Sequence, residues 1–406
     1  MDNRESMWVG QIPKKWQLLK LGSLFATRNE KVSDKDFPPL SVSRGGVVPQ
    51  MEGVAKTDAN SDRKLVRSGD FAINSRSDRK QSCGLARMDG SVSLINTILY
   101  LKKTDIIYPE YLDFLLKNYW FAEEFYRWGH GIVADLWTTR WQEMKAIMLP
   151  IPPYEMQKRI CEYLIEKSAE IDSLIAVEEA QIEKLKQFRD RFITEAIKGF
   201  QPTKIKYLLD EIKVGPFGSA LTGKVISYED GAAKVYGQWN VVAQSLEAGK
   251  NYISQTDFAE LENYKVRKGD ILVSMMGTIG RCYEIPDVVV PGIIDSHIIK
   301  IRLKDSVLPE YFVLAYDLTN SSYCKNQLAL LKKGSIMDGL NSTILKEISI
   351  PLPSIDKQKA VVKLIKTKTD DVDELLKMKA EKINRLIELK KSLIYEYIVG
   401  KKEVAA

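Results

Sequence analysis

Cysteine and histidine are almost missing. Four cysteines, Cys83, Cys161, Cys282 and Cys324, are scattered through 406 residues without a C-x-x-C pair, so neither a disulfide framework nor a zinc knuckle is implied. Two histidines, His130 and His297, lack a second histidine or a cysteine at ligand spacing, which leaves little room for metal or triad chemistry. No apolar run approaches the roughly eighteen residues that a membrane span needs. The opening Met1-Asp2-Asn3-Arg4-Glu5 lacks the apolar segment of a signal peptide. A reducing cytoplasm is the expected compartment.

Three segments come close to catalytic motifs and miss. Ile151-Pro152-Pro153-Tyr154 resembles the Asn/Asp-Pro-Pro-Tyr loop of adenine methyltransferases, but isoleucine offers no acceptor for the target amino group. Gly218-Ser219-Ala220-Leu221-Thr222-Gly223-Lys224-Val225 follows a phosphate-binding loop up to its last position, where valine cannot supply the hydroxyl that magnesium requires. Asp287, Asp295 and Lys300 suggest a nuclease cluster only loosely, because Asp295-Ser296-His297 breaks the acid-x-lysine order. No catalytic residue, metal site or chain-bound cofactor is expected.

What the chain does have is repetition. Val66-Arg67-Ser68-Gly69-Asp70 returns as Val266-Arg267-Lys268-Gly269-Asp270, and Pro109-Glu110-Tyr111 returns as Pro309-Glu310-Tyr311. Pro150, Pro152 and Gln157 reappear as Pro351, Pro353 and Gln358, while Glu195, Ile197 and Gly199 match Glu396, Ile398 and Gly400. Order and spacing survive across a whole half, so this is a duplicated domain, not a short array repeat. Two copies in one polypeptide give pseudo-two-fold symmetry, which suits the reading of a divided target. The 45% apolar content supports real cores, and the length exceeds one ordinary domain.

Within each copy, short β-like runs alternate with turn punctuation. Leu40–Val42, Phe71–Ile73, Ser93–Ile95, Leu272-Val273, Val288–Val290 and Ile298-Ile299 read as strands. Helices are expected after Pro109, with Tyr111, Leu112, Phe114, Leu115 and Tyr119 as an apolar stripe, and after Pro309. Each half then meets a proline pair, Pro150/Pro152 and Pro351/Pro353, where the chain runs extended.

Long amphipathic helices follow. Ile160, Leu164, Ile171, Leu174, Ile182, Leu185, Phe188, Phe192 and Ile197 line the first. Val361, Leu364, Val372, Leu375, Ile383, Leu386, Leu389, Leu393 and Tyr397 line the second. Gly199 and Gly400 end them as C′ glycines. A helix of about forty residues is roughly 60 Å long and must pack its stripe on something; the other copy is the economical partner. The expected fold is mixed α+β, with two globular domains joined and separated by a pair of long antiparallel coiled-coil helices. The boundaries read 1–150, 151–200, 201–351 and 352–406.

The net charge of +6 is compatible with a polyanion partner without demanding one. Arg76 to Lys80, including Arg79, forms a basic cluster after a strand, and Ser43-Arg44-Gly45-Gly46 forms a glycine-rich turn. Both read as DNA contacts or as solvated loops. Gln238-Trp239-Asn240 combines two amides able to pair with adenine and an aromatic able to stack or wedge; a buried tryptophan with hydrogen-bonded neighbours is the alternative. Lys224, Arg281, Lys332 and Lys333 are read as phosphate contacts, which position a protein without reading sequence.

The layout resembles the specificity subunit of type I restriction–modification systems over essentially the whole chain. Ile12-Pro13-Lys14-Lys15-Trp16, Gly69-Asp70 and Pro150-x-Pro152-Pro153-x-Glu155-x-Gln157 look like that family's first half. Gly215-Pro216-Phe217-Gly218-Ser219, Gly269-Asp270 and Pro351-x-Pro353 leading to Gln358 look like its second. Asp356-Lys357-Gln358 departs from the family's usual Glu-x-Gln or Glu-Gln. The resemblance implies two target-recognition domains, each reading one half of a bipartite DNA site, with the helices as a ruler over an unread spacer. It implies two modification subunits that bind S-adenosylmethionine and restriction subunits that use ATP and Mg, making the complex an adenine-specific methyltransferase and ATP-dependent endonuclease. A second class of reading is a coiled-coil adaptor that scaffolds proteins without binding DNA, which would show no salt-dependent DNA affinity.

Overall fold

Two four-stranded antiparallel sheets with one connectivity carry the repeat in the computed structural model of the chain. The structure describes every residue except 1–4, 7, 51–61, 77–79, 132–136, 227–231, 288–289, 318–320, 333–338 and 405–406. By packing the chain divides into unit 1, Met1–Glu178 with Glu381–Ala406, and unit 2, Glu179–Ala380.

In unit 1 the sheet order is Cys83–Leu85, Phe71–Asn74, Asn96–Leu101, Phe25–Arg28. In unit 2 the order is Cys282–Glu284, Ile271–Ser274, Ile298–Leu303, Leu209–Val214. The second sheets differ. Unit 1 has Gly90–Val92, Arg63–Val66 and Lys31–Val32, all antiparallel. Unit 2 joins Ala233–Tyr236 to Gly292–Ile294 in parallel, with Tyr252–Ile253 antiparallel on the other edge.

The repeated Arg-x-Gly-Asp phrase is a folding element. Asp70 and Asp270 are buried and accept hydrogen bonds from the backbone N–H groups of Arg67 and Arg267 at 2.9 and 2.7 Å. Each also holds a guanidinium, Arg28 Nε at 2.7 Å or Arg302 Nε at 3.0 Å. These arginines stand on neighbouring strands of equivalent sheets, so the copies meet one electrostatic need from different positions. The hydrogen bond to Asp70 raises the Arg28 pKa.

Most expected elements form, with local corrections. Ser93–Ile95 is a turn, not a strand; Ser93 carbonyl accepts from the Asn96 N–H and side chain, and the strand starts at Asn96. The helix after Pro109 stops at Lys117. Asn118 then caps a separate helix, Tyr119–Arg127, by accepting the Phe121 N–H at 2.8 Å, which moves Tyr119 off the expected stripe. Val288 and Val289 lie outside the described residues. Pro150 and Pro351 are strand residues, with Met148–Ile151 paired to Gln17–Lys20 and Ser349–Pro351 to Pro202–Lys204, while Pro152 and Pro353 follow those strands.

The long helices run Tyr154–Ile197 and Ile355–Ile398, 44 residues each. Gly199 and Gly400 follow them with φ of +87° and +75°, the left-handed C′ conformation that glycine adopts without Cβ strain. Ile160 and Leu164 from the start of the first helix join Tyr397 and Ile398 from the end of the second in the unit 1 core. Ile193 and Ile197 join Val361, Val362 and Ile365 in the unit 2 core.

Within each unit the paired helix segments are antiparallel. Asp172 meets Lys390 at 2.7 Å and Glu178 meets Lys382 at 2.6 Å in unit 1; Arg189 meets Asp373 at 3.0 Å and Gln181 meets Lys379 in unit 2. Exposed ion pairs of this kind contribute only about 0–1 kcal/mol, so they set register while Ile171 and Val372, both buried, supply the apolar seam. The stripe is less covered than its periodicity suggests. Leu174, Phe188, Leu364, Leu375 and Leu389 are exposed.

Gln157 and Gln358, fully buried, fasten each sheet domain to its helix. Gln157 Oε1 accepts the Tyr108 N–H at 2.8 Å, and its Nε2 donates to the carbonyls of Ile106 and Pro152, both at 2.9 Å. Gln358 repeats this with Leu308, Ser306 and Pro353 at 2.8, 2.9 and 2.9 Å. The Asp356-Lys357 departure therefore leaves this contact intact. Replacing either glutamine by alanine strands a buried N–H and two carbonyls, at a cost of about 2–4 kcal/mol. Thermal melting of Gln157→Ala and of Gln358→Ala is expected to fall by roughly 5–15 °C; unchanged melting would contradict the clamp.

Candidate nucleic-acid interface

In each unit a loop of the four-stranded sheet meets loops from its accessory strands. In unit 1 the hairpin Leu40–Ser43/Gly46–Pro49 turns through Arg44-Gly45. Ser43 Oγ donates to the Gly46 carbonyl at 3.3 Å and accepts the Gly45 N–H at 3.2 Å, so it shapes the turn. Arg44 is exposed and its Nε donates to the Lys80 carbonyl at 3.3 Å, which brings the hairpin tip to the loop after Phe71–Asn74. Arg76, exposed on that loop, is anchored through its N–H to Asn74 Oδ1 at 3.0 Å. Lys80 is engaged: its Nζ lies 2.9 Å from Glu123 Oε1 and 4.1 Å from the Tyr126 ring centroid. The rim presents guanidinium groups more than ammonium groups. Arg79 lies outside the described residues.

The unit 2 rim forms where the strands Leu209–Val214, Ala233–Tyr236, Ile271–Ser274 and Gly292–Ile294 end. Gly215 approaches Asp295 so closely that a Cβ there would lie 1.9 Å from the Asp295 carbonyl oxygen, and a Cβ on Gly237 would lie 3.4 Å from Asp295 Oδ2. Two residues beyond these glycines stand Phe217 and Trp239, 87% and 74% exposed. Gln238 Nε2 donates to the Met276 carbonyl at 2.6 Å, which ties the Trp239 segment to the next loop.

Trp239 and Asn240 take opposite settings. The tryptophan is the exposed residue, and Asn240 is buried. Its Oδ1 accepts the Gly237 N–H at 3.0 Å, and its Nδ2 donates to the carbonyls of Ser245, Leu246 and Ala248 at 3.1, 3.2 and 2.7 Å. An amide so occupied cannot pair with adenine, and Asn240 is corrected to a loop-holding residue. Lys234, 2% exposed on an otherwise apolar strand, reinforces the same loop by donating to the carbonyls of Glu247 and Gly249 at 3.2 and 2.8 Å. A lone charge within Ala233–Tyr236 was the available signal.

The other basic candidates are less open than their residue type suggests. The Lys224 ammonium donates to the carboxylates of Glu260 and Asp257, at 2.7 and 3.0 Å, which raises its pKa and engages its charge. That correction follows from the acidic Gln255–Glu260 helix. Gly218–Leu221 is a four-residue helical turn, not a phosphate loop. Arg281 is half-buried in the hairpin turn, with its Nε enclosed. Lys332 caps the C-terminus of Ser322–Leu331 through its N–H, and Lys333 lies outside the described residues. Phe217 and Met276 were not singled out as contacts by sequence; an aromatic between proline and glycine was the signal for the first.

Among the described residues no cluster of three or more His, Cys, Asp or Glu could hold a metal, and no helix is long and apolar enough to cross a membrane. Lys300 is buried against the Lys265 carbonyl at 2.9 Å and Glu211 at 3.2 Å, while Asp295 accepts from the Ser296 N–H at 2.6 Å. Burial pushes the thiols of Cys83, Cys161 and Cys324 up to about 12, which removes them as nucleophiles. Asn240→Ala would leave the Gly237 N–H and three carbonyls without their partner, costing about 2–4 kcal/mol. Melting is expected to fall and amide exchange at 245–249 to accelerate; exchange as slow as in the unsubstituted chain would contradict the loop-holding role.

Comparison with known proteins gives the same direction. Residues 210–385 match the family model described as type I restriction modification DNA specificity domain. The putative type I restriction enzyme MjaX specificity subunit of Methanocaldococcus jannaschii is 22% identical, covering 91% of this chain and 90% of that protein. The type I restriction enzyme EcoBI specificity subunit of Escherichia coli is 25% identical over 54% of this chain and 51% of that one. A chain from a solved structure concerned with complex assembly and conformational transition of the type I R-M system is 15% identical, with a TM-score of 0.68, covering 97% of this chain and all of that one; it shares the fold. The second half of the chain thus matches a type I restriction modification DNA specificity domain, and over most of its length the chain is similar to a type I restriction enzyme specificity subunit.

Proposed function

We propose that the chain reads one bipartite DNA site, each unit taking one half, and gives its address to a methyltransferase and a restriction motor. The duplicated sheet with two different contact rims carries this reading. One shared frame holds Arg44 and Arg76 in unit 1 and Phe217 and Trp239 in unit 2, so two unlike half-sites suit it better than a palindrome.

The helices are the surface proposed for the partners. Ile165, Leu174, Val177 and Leu389 on unit 1, and Phe188, Leu364, Leu375 and Met378 on unit 2, are exposed apolar side chains on segments already paired. Uncovered apolar positions of this number suit protein partners. Two modification subunits and the restriction subunits are the proposed occupants, bringing S-adenosylmethionine, ATP and Mg; adenine methylation and ATP-dependent cleavage belong to that assembly. The same helices, shared by both units along the chain, are proposed to fix the spacer between half-sites. An adaptor that ignores DNA has no use for two unlike rims.

Arg76 and Lys224 separate a phosphate contact from an engaged cation. In the complex with modification subunits, Arg76→Ala is expected to weaken DNA binding several-fold and to lower the salt slope by about 1. Lys224→Ala should change neither, because Glu260 and Asp257 already hold its ammonium. An unchanged slope for Arg76→Ala, measured by binding titrations between low and physiological salt, would contradict the assignment.

A further inference from the structure

We infer that unit 2 determines its half of the site with exposed aromatic rings, Trp239 first and then Phe217, whose loops both meet Asp295, where unit 1 relies on arginine. This rests on the DNA-reading role proposed above.

Two large rings left 87% and 74% exposed on one rim are costly in water unless something covers them. Their backbones are tightly placed. Phe217 follows Gly215 and Trp239 follows Gly237, and both glycines lean on Asp295. Trp239 is also rigid from below. Gln238 is held by the Met276 carbonyl, and Asn240 and Lys234 fasten the loop carrying Gly249. Gly249 turns that loop with a φ of +77°, and a Cβ there would only touch Trp239 Cβ at 3.7 Å, so the loop passes directly against the base of the indole. A preorganised ring loses little freedom on binding.

The neighbouring chemistry favours DNA over an apolar protein face. Trp239 borders a depression of about 320 Å³ lined also by Lys250 and Asn251. Lys250 is exposed and stands where an ammonium can hold a phosphate while the ring meets a base. An apolar ring contacts a thymine methyl in the major groove or wedges a base step. Either contact depends on base identity, unlike a phosphate contact. Lys224, held by Glu260 and Asp257, and Arg281, with its Nε enclosed, are less open to a phosphate than Lys250.

The test is competitive binding by the full chain assembled with its modification subunits. The panel is the cognate duplex and duplexes with one base pair changed at each position of both halves. Trp239→Ala is expected to lower cognate affinity roughly 10- to 100-fold and to flatten discrimination at one or two adjacent positions of one half only. Phe217→Ala should act within the same half, and Trp239→Phe should restore most discrimination. Wild-type discrimination retained by Trp239→Ala overturns the inference. So does an equal loss on every duplex that Trp239→Phe does not repair. Loss of co-purified modification subunits with base discrimination intact overturns it in favour of a protein-docking role. A wild-type complex that prefers no duplex would instead remove the DNA-reading role itself.

Discussion

A buried glutamine holds this architecture together. Gln157 and Gln358 each gather three backbone groups, one N–H and two carbonyls, from the segment before the sheet-packed helix and from the proline link. Buried backbone groups must be paired, and here one side chain pairs three of them at the point where a domain becomes a 44-residue helix. The angle between sheet and helix start is fixed in each unit by that contact. Tyr111 and Tyr311 reinforce it, donating to the carbonyls of Pro150 and Pro351 at 3.3 and 2.6 Å.

Once the frame is fixed twice, the rims are free to diverge. Strand order, the buried aspartate at the hairpin turn and the glutamine clamp are the same in both units. The accessory sheets and the loops beyond them are not. The proposed role suits this division, with a frame held constant in both units and rims that differ between them.

Much of the fold was legible because duplication shows as identical phrases at constant offset, and long helices show as periodic apolar positions closed by glycine. Local errors had local causes. Ser93–Ile95 looks like a strand by composition, yet Ser93 and Asn96 favour a turn through side-chain bonding. Asn118 breaks an apolar stripe because it caps better than it continues a helix. The site was less legible. Residue type alone cannot tell that Lys224 faces two carboxylates, that Asn240 is filled by carbonyls, or that Trp239 points outward. Those depend on which loops the sheet brings together, and Asp295 joins Gly215 to Gly237 across twenty-two positions of sequence.

The central claim is that one duplicated chain addresses one divided site. A base-resolution methylation map of the host genome with and without the gene tests it most directly. The account predicts that removing the gene erases methylation at a single motif of two unlike short halves around a fixed gap. A map that stays unchanged, or that loses a continuous or palindromic motif, would contradict it.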